Sequence, residues 1–316
     1  MKKESEYYGC RLKEPDLNIV WSLDKLLDHP LGEFDLKDFG FDTFGFVEQE
    51  ENIVGLSIAD KNLEKIPSYI GNLDKLSEIY LSHNYISELP KSFYKLESLQ
   101  FFDLNCNILT DISNSIGNLK SLEIIRLASN QLTALPRNIG SLNLLEELIL
   151  KNNKIESLPK EIGSLKSLKY LDLSCNILKN LPSSIGKLDN LEEIRISNNQ
   201  ISILPSSIKN LRNISSFHCK SNKFTEIPSE FQLLKSLKAL NFRDNLIQTL
   251  PNWIENLTNL TRIFLDGNNL TNLPEEILNL PKLEILNVQR NKNEKLHQNA
   301  QKIIEILEKR GCIVRI

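Results

Sequence analysis

The sequence predicts an α/β solenoid with a cap at each end. Three observations indicate this fold class. Leucine or isoleucine recurs every 23 residues from Ile53 to Leu283, every unit repeats one pattern of apolar and polar positions, and both flanks lack that pattern. A fixed period of this length is the signature of stacked structural repeats. Ten complete units fill residues 53–282, and an eleventh begins at Leu283 and breaks after Asn291.

Residues 1–52 are predicted to cap the first repeat, because an open solenoid exposes an apolar cross-section at each end. A short helix is expected near 15–28, from apolar residues at near-helical spacing: Trp21, Leu23, Leu26 and Leu27. A strand near 44–49 and a turn at 50–52 would pair this segment back onto the first repeat strand. Its phenylalanines either form a second binding site or, as we favour, cover the first repeat; they are Phe34, Phe39, Phe41, Phe44 and Phe46.

Each repeat follows the pattern L-x-x-L-x-L-x-x-N-x-L-x-x-L-P-x-x-I-G-x-L-x-x, and residues 168–190 match it at every fixed position. Apolar positions 4 and 6 alternate with polar neighbours, which predicts a short strand with one buried face. Position 9 is asparagine in ten of the eleven units, with Lys61 the exception. A buried amide there would satisfy backbone groups that a turn removes from the sheet. Proline at position 15, replaced once by Ser113, stops helix continuation.

Residues 292–316 are predicted to form the second cap. Between 298 and 310, four apolar residues share one helical face: Ala300, Ile303, Ile304 and Leu307. Gly311 would end this helix, and residues 312–316 would form a last strand.

The pattern carried by residues 53–291 resembles that of leucine-rich-repeat proteins. The 23-residue class occurs in Ras-suppressor-like proteins, plant intracellular Ras-group repeat proteins and many bacterial repeat proteins, and the match covers about three quarters of this chain. The resemblance implies a horseshoe with a parallel β-sheet on its concave side and short extended or 3-10 segments on its convex side. It also implies protein–protein recognition, commonly in scaffolding or regulation.

Within such a horseshoe, positions 3, 5 and 7 of each repeat point out of the concave face, because positions 4 and 6 point into the core. Five successive units carry a large apolar side chain on this face: Tyr80, Phe101, Ile124, Ile149 and Tyr170. Neighbouring strands lie ~4.8 Å apart, so a continuous strip is expected, and contiguous exposed apolar patches mark interaction sites. Its predicted charged rim comprises Asp103, Arg126, Glu147 and Asp172. The alternative is that these apolar side chains only support one another on the sheet.

A second candidate surface is a basic run on the later repeats, with one aromatic residue beside it: Arg195, His218, Lys220, Arg243, Arg262 and Phe264. An acidic or phosphorylated segment of a partner would suit it. The alternative, which we favour, is a solvated charge pattern balanced by Glu193, Asp244 and Asp266.

The stretch SSFHCKSN, residues 215–222, places an imidazole beside a thiol and raises the question of catalysis. In the repeat, Cys219 stands at position 6 and His218 at position 5, so their side chains point to opposite faces. The chain has no Cys-x-x-Cys, no His-Glu-x-x-His and no phosphate-binding glycine loop. We therefore expect no catalytic residues, no metal and no cofactor.

Composition limits the class of protein and the cellular compartment that the sequence favours. The chain of 316 residues is 41% hydrophobic and 25% charged, which is typical of folded proteins. A net charge of −3 gives no basic excess for nucleic-acid binding. No apolar run approaches the ~20 residues that span a bilayer. Because no apolar stretch follows Lys2 and Lys3, we expect no secretory signal. The five cysteines have no clustered spacing, which favours a reducing compartment.

We therefore predict a cytoplasmic, monomeric and non-enzymatic scaffold or interaction module that binds a protein partner on its concave face. By analogy with the Ras-suppressor-like proteins, the partner would be a small GTPase or its effector in signalling. One alternative is a secreted effector or surface adhesion protein. The other is an enzyme whose activity lies in residues 1–52, where only Cys10 and His29 offer a thiol and an imidazole.

Overall fold

The computed structural model describes residues 6–7, 9–27, 29–40, 42–291 and 295–316. The chain divides between Lys154 and Ile155 into two compact units. Each unit contains parallel strands, one from each repeat, and 3-10 segments between them, so the predicted α/β solenoid is confirmed.

The first unit begins with a small antiparallel hairpin that the sequence did not predict. Its strands are β1 (Glu6–Tyr7) and β2 (Cys10–Arg11). Helix α1 (Glu14–Leu27) follows, where a helix was predicted. Of the residues whose spacing indicated this helix, Leu23 is buried, whereas Trp21 and Leu26 are exposed. The residues that share the interior with Leu23 are Asp16, Leu17, Ile19 and Val20.

Strands β3 (Gly32–Glu33), β4 (Phe44–Gln49) and β5 (Asn52–Ile58) complete the N-terminal segment and begin the repeats. The antiparallel pairing of β4 with β5 agrees with the sequence prediction, and β3 adds to β4 in parallel. The approach of β3 requires glycine on β4, because a Cβ on Gly45 would lie 1.8 Å from the carbonyl oxygen of Gly32. Phe41 lies outside the described residues.

The remaining strands of the first unit are three residues long and run parallel in sequence order after β5. They are β6 (Glu78–Tyr80), β7 (Phe101–Asp103), β8 (Ile124–Arg126) and β9 (Glu147–Ile149). Their cross-strand neighbours are 23 residues apart, as Tyr80 and Asp103 are. Each position of the repeat therefore forms a row across the sheet.

The second unit continues the same arrangement with parallel strands in sequence order. They are β10 (Tyr170–Asp172), β11 (Glu193–Arg195), β12 (Ser216–His218), β13 (Ala239–Asn241), β14 (Arg262–Phe264), β15 (Ile285–Asn287) and β16 (Ile313–Arg315).

Helix α2 (Lys295–Lys309) lies between β15 and β16 in the chain. The four residues predicted for its apolar face are all buried: Ala300, Ile303, Ile304 and Leu307. Gly311 follows the helix with φ +86°, a backbone conformation that glycine adopts without a steric penalty. Residues 292–294, where the predicted cap begins, and the side chains of 295–299 lie outside the described residues.

The core lies between the strands and the 3-10 segments of each unit. In the first unit, Phe93 on the 3-10 segment Lys91–Lys95 meets Phe102 of β7, with 5.8 Å between ring centroids. In the second unit, Phe231 contacts Phe217 of β12 in the same way, at 4.9 Å. The prediction of short 3-10 segments instead of long helices is confirmed.

The asparagine at position 9 joins each repeat to the one before it. The Oδ1 atom of Asn84 accepts the backbone N–H groups of Lys61 and Leu63, at 3.0 and 2.9 Å. Its Nδ2 donates to the carbonyls of Ile58 and Leu81, at 2.9 and 3.0 Å. In the second unit, the Oδ1 of the corresponding asparagines accepts N–H groups of the preceding repeats in the same way. The buried amides thus satisfy the turn backbone, as the sequence predicted.

Two departures from the repeat pattern meet in the first unit. Ser113 replaces the proline of position 15, and in the preceding repeat Tyr94 stands at position 19, where five of the ten complete repeats have glycine. The buried Tyr94 hydroxyl accepts the backbone N–H of Ser113 at 3.2 Å. Proline has no N–H, so this donor exists only because proline is absent. The Tyr94 hydroxyl therefore accepts a hydrogen bond from the backbone N–H that serine brings to this position in place of proline.

Candidate functional site

We call the sheet face opposite the 3-10 segments the open face. In the first unit it carries Tyr80, Phe101, Ile124 and Ile149 on successive strands, each half-buried. The rings of Tyr80 and Phe101 stand 4.8 Å apart between centroids. Tyr170, the fifth predicted residue of the strip, is half-buried on β10 of the second unit.

A residue of the N-terminal segment extends this apolar surface. Phe39 meets Tyr80 edge to face, with 5.5 Å between ring centroids and 81° between ring planes. The ring of Phe39 also lies over Gly55, where a Cβ would approach it to 2.7 Å. Phe39, Tyr80, Phe101, Ile124 and Ile149 together form what we call the first-unit strip. The sequence contained one indication of this contact. Gly55 has no side chain at its position on the open face, which leaves room there for the ring of Phe39.

The hydroxyl of Tyr80 donates to Oε2 of Glu78 at 3.2 Å. Burial, together with the nearby Glu78 carboxylate, raises the pKa of Tyr80 to about 12. The hydroxyl therefore stays protonated at neutral pH, and the strip presents a hydrogen-bonded phenol and not a phenolate.

The predicted charged rim is only partly exposed. Arg126 pairs with Glu147 on the next strand at 3.1 Å, and its guanidinium lies 5.3 Å from the Phe101 ring centroid. Asp103 and Asp172 are buried instead, with 6% and 4% of their surface exposed.

Each of these two aspartates folds back along its own strand. Asp103 accepts the N–H of Asn105 at 2.8 Å, and Asp172 accepts the N–H of Ser174 at 2.9 Å. Burial raises the pKa of Asp103. Both carboxylates thus accept a backbone N–H just beyond the end of their own strand. The alternation of apolar and polar residues in the sequence did not predict these hydrogen bonds.

On the second unit, most residues of the predicted basic run lie beside the carboxylates that were expected to balance them, namely Glu193, Asp244 and Asp266. Arg195 Nε contacts Glu193 Oε1 at 2.5 Å, and His218 Nε2 lies 3.4 Å from the same oxygen. Lys220 pairs with Asp244 at 3.7 Å. These pairs favour a balanced charge pattern over a free cationic surface.

One later member of the run, Arg243, lies over an aromatic ring. Arg243 pairs with Asp266 at 2.6 Å and stacks over Phe264, with 4.6 Å between its guanidinium carbon and the ring centroid. Arg262 is exposed and has no ion pair among the residues the structure describes. Phe264 itself is half-buried on the open face.

His218 and Cys219 point to opposite faces, as predicted. Cys219 has no exposed surface, and burial raises the pKa of its thiol well above the ordinary value. Burial lowers the pKa of His218. The nearby Arg195 also lowers this pKa, whereas Glu193 opposes the shift. The imidazole is therefore neutral at pH 7, and its contact with Glu193 is not an ion pair there.

The N-terminal thiol and imidazole show no sign of catalytic activation. Cys10 is buried, and that burial together with a hydrogen bond to Glu33 raises its pKa to about 12. A thiol must ionise to act as a nucleophile. His29 is exposed. Within the described part of the chain, no group of three or more His, Cys, Asp and Glu side chains is arranged to hold a metal ion.

Two family models match the chain. The model described as a leucine-rich repeat region matches residues 114–194 and 160–262, and the model described as a leucine rich repeat matches residues 51–109. No curated protein matches the chain. Neither helix of the described residues has the length and apolar character needed to cross a membrane.

Solved structures of several repeat proteins resemble the chain. The plant peptide hormone receptor RGFR1, in complex with RGF2, is 30% identical over 76% of this chain and 40% of the receptor chain, with a TM-score of 0.69. A TDR receptor is 30% identical over 79% of this chain and 45% of its own, with a TM-score of 0.67. This chain thus spans less than half of either receptor chain. The internalin inlF of Listeria monocytogenes shares the fold at 18% identity, with 95% of both chains covered and a TM-score of 0.54.

Proposed function

The chain belongs to the leucine-rich-repeat proteins, and on that premise we propose that it is a non-enzymatic interaction protein whose open face binds a protein partner. One observation carries the proposal: the first-unit strip places aromatic and aliphatic side chains side by side on a sheet face while leaving each half-accessible. Aromatic residues dominate the energy of protein interfaces. The similarity to a receptor that was solved in complex with RGF2 supports a binding role.

The finer proposal concerns the setting. The resemblance to Ras-suppressor-like proteins supports a small GTPase or its effector as the partner, in cytoplasmic signalling or scaffolding, with the chain acting as a monomer. Cell fractionation tests the location, and recovery of the protein outside the cell would contradict it. Binding of a purified small GTPase in its two nucleotide states would test the partner class directly.

The test of the open face uses three alanine substitutions together, Tyr80→Ala, Phe101→Ala and Tyr170→Ala. We expect the triple variant to lose capture of partner proteins from native lysate. The matched control is Tyr85→Ala with Leu144→Ala, two exposed apolar residues at positions 10 and 23 of their repeats and so off the open face. Undiminished capture by the triple variant, or equal loss in the control, would contradict the proposal.

We further propose that residues 1–52 and 292–316 act as end caps of the repeats in 53–291. The contact that supports the first cap is the hydrogen bond from the N–H of Ile53 to the buried Asp16 carboxylate, at 2.7 Å. Deletion of residues 1–40 should therefore cause unfolding or aggregation. A stable truncated protein that loses only an enzymatic activity would instead support the enzyme alternative.

A further inference from the structure

The second unit contains a groove that is separate from the open face. It lies along the stretches that lead from the strand turns into the 3-10 segments of three successive repeats, and its volume is about 480 Å³. Ile203 and Trp253 line it together with Pro228 and Pro251. The side chain of Ile203 is 74% exposed, the largest exposure among the large hydrophobic residues of the described chain.

Ile203 departs from the repeat pattern at its position. It stands at position 13, where the other nine complete repeats carry a polar residue or alanine: Lys65, Glu88, Asp111, Ala134, Ser157, Asn180, Glu226, Thr249 and Asn272. This position is outside the core, so nothing in the packing of the repeat requires a large apolar side chain there.

Trp253 is a second, independent departure. It stands at position 17, where the other complete repeats carry serine, asparagine or glutamate, apart from Tyr69. Its side chain is half-buried. One groove is thus lined by two large apolar residues that lie two repeats apart. Neither residue is required by the repeat pattern. Burying such residues against another molecule is the gain that would favour binding.

The charge of the groove indicates the chemistry of its ligand. The repeat between Ile203 and Trp253 contributes Glu226 and Glu230 to the lining, and none of the described residues that line the groove is a lysine, arginine or histidine. Glu226 is exposed and Glu230 is half-buried. The two carboxylates therefore create a negative potential beside the apolar side chains, which favours a cationic ligand.

The spacing of the groove suits a short extended peptide. Two repeat steps at the strand spacing of ~4.8 Å place equivalent positions of the Ile203 and Trp253 repeats roughly 10 Å apart. An extended chain rises about 3.3 Å per residue, so about three residues span this distance. An apolar side chain can then rest on Ile203 or Trp253 while a neighbouring lysine or arginine reaches the carboxylates.

We propose that this groove binds an extended segment of a partner protein that places an aliphatic or aromatic side chain within about three residues of a lysine or arginine. The site is independent of the open face, and its ligand differs from the partner of the first-unit strip.

The test selects random peptides displayed on phage against the full-length protein and then measures the affinity of one synthetic selected peptide. We expect the selected peptides to combine an apolar side chain with lysine or arginine. Affinity should fall at least about tenfold in the Glu226→Lys, Glu230→Lys variant, which corresponds to ~1.4 kcal/mol. A comparable fall is expected in Ile203→Ser, which alters an exposed side chain and leaves the fold intact.

The matched control is Glu88→Lys with Glu161→Lys, which makes the same changes at positions 13 and 17 of other repeats. This control and the Tyr80→Ala, Phe101→Ala variant should bind the peptide as the unmodified protein does. Selected peptides without basic residues, affinity unchanged in the groove variants, or no selection above bare support would each overturn the proposal. Peptides lost only in the Tyr80→Ala, Phe101→Ala variant would overturn it while supporting the proposed function.

Discussion

The ring of Phe39 packs edge to face against Tyr80, and this contact brings the N-terminal segment onto the open face of the repeats. We expect the two rings to be energetically coupled by about 0.5–1.5 kcal/mol, as aromatic pairs are. A double-mutant cycle of Phe39→Leu and Tyr80→Leu, measured by denaturant unfolding, would give this coupling. The Phe39→Leu variant should also weaken partner capture, because the residue belongs to the first-unit strip. Additive effects of the two substitutions would contradict the coupling.

The Tyr94 and Ser113 pair gives a prediction with its own rescue. Tyr94→Phe removes the acceptor of the Ser113 N–H and should lower the free energy of unfolding by about 1–2 kcal/mol. Ser113→Pro removes the donor, and the backbone at Ser113 already has a proline-like φ of −63°. In the Ser113→Pro background, Tyr94→Phe should therefore cost less than half as much. Equal costs in both backgrounds, measured by urea unfolding, would show that the hydrogen bond contributes nothing.

In some repeats a glycine at position 19 lets the 3-10 segment of the next repeat approach closely. A Cβ on Gly163 would lie 2.2 Å from the carbonyl oxygen of Ser184, so Gly163→Ala should destabilise the protein by about 1–3 kcal/mol. Gly117 occupies the same repeat position, but a Cβ there would approach Asn138 only to 3.0 Å. Gly117→Ala should therefore cost clearly less. Melting temperatures of the two variants provide the comparison, and a reversed order would contradict it.

The lowered pKa of His218 predicts a pH dependence of stability. Because the folded protein holds this imidazole neutral, the unfolded chain binds its proton more readily. The free energy of unfolding should thus be greatest above the unfolded pKa of about 6.5 and fall as the pH drops through the lower pKa of the folded state. Substitution His218→Gln should remove this contribution between about pH 7.5 and 5.5.

The control for that experiment is His83→Gln, which changes an exposed histidine of the first unit. It should leave the fall in stability between the two pH values in place. If His218→Gln also leaves the fall unchanged, another group is responsible for it.

The repeats were predictable because each position is repeated ten times, so a single pattern decides the strand, the turn and the buried column at once. The row formed by Asn84 and its equivalents is a direct example. The N-terminal segment has no such repetition. Its hairpin of β1 and β2 is too short to leave a periodic pattern, and the face of α1 depends on what it packs against, which is why Trp21 and Leu26 are exposed.

For the candidate site, the sequence predicted the face to which each side chain points, but not the hydrogen bonds and ion pairs that the side chain forms. Alternation along a strand correctly places Tyr80 and Phe101 on the open face. It does not reveal that a short carboxylate such as Asp103 folds back onto a backbone N–H two residues later. Nor does it show which charges pair across strands, because the pairing of Arg126 with Glu147 depends on side-chain conformations that no residue pattern specifies.

The asparagine column has a consequence for how the protein can change in length. Each amide bonds to its own repeat and to the preceding one, so removing part of a repeat leaves donors and acceptors without partners on both sides of the cut. Inserting one whole 23-residue copy of 168–190 beside the original would instead supply every bond that its neighbours need. The chain is in this sense modular. Its open face can be lengthened by one row at a time, without redesigning the rows already present.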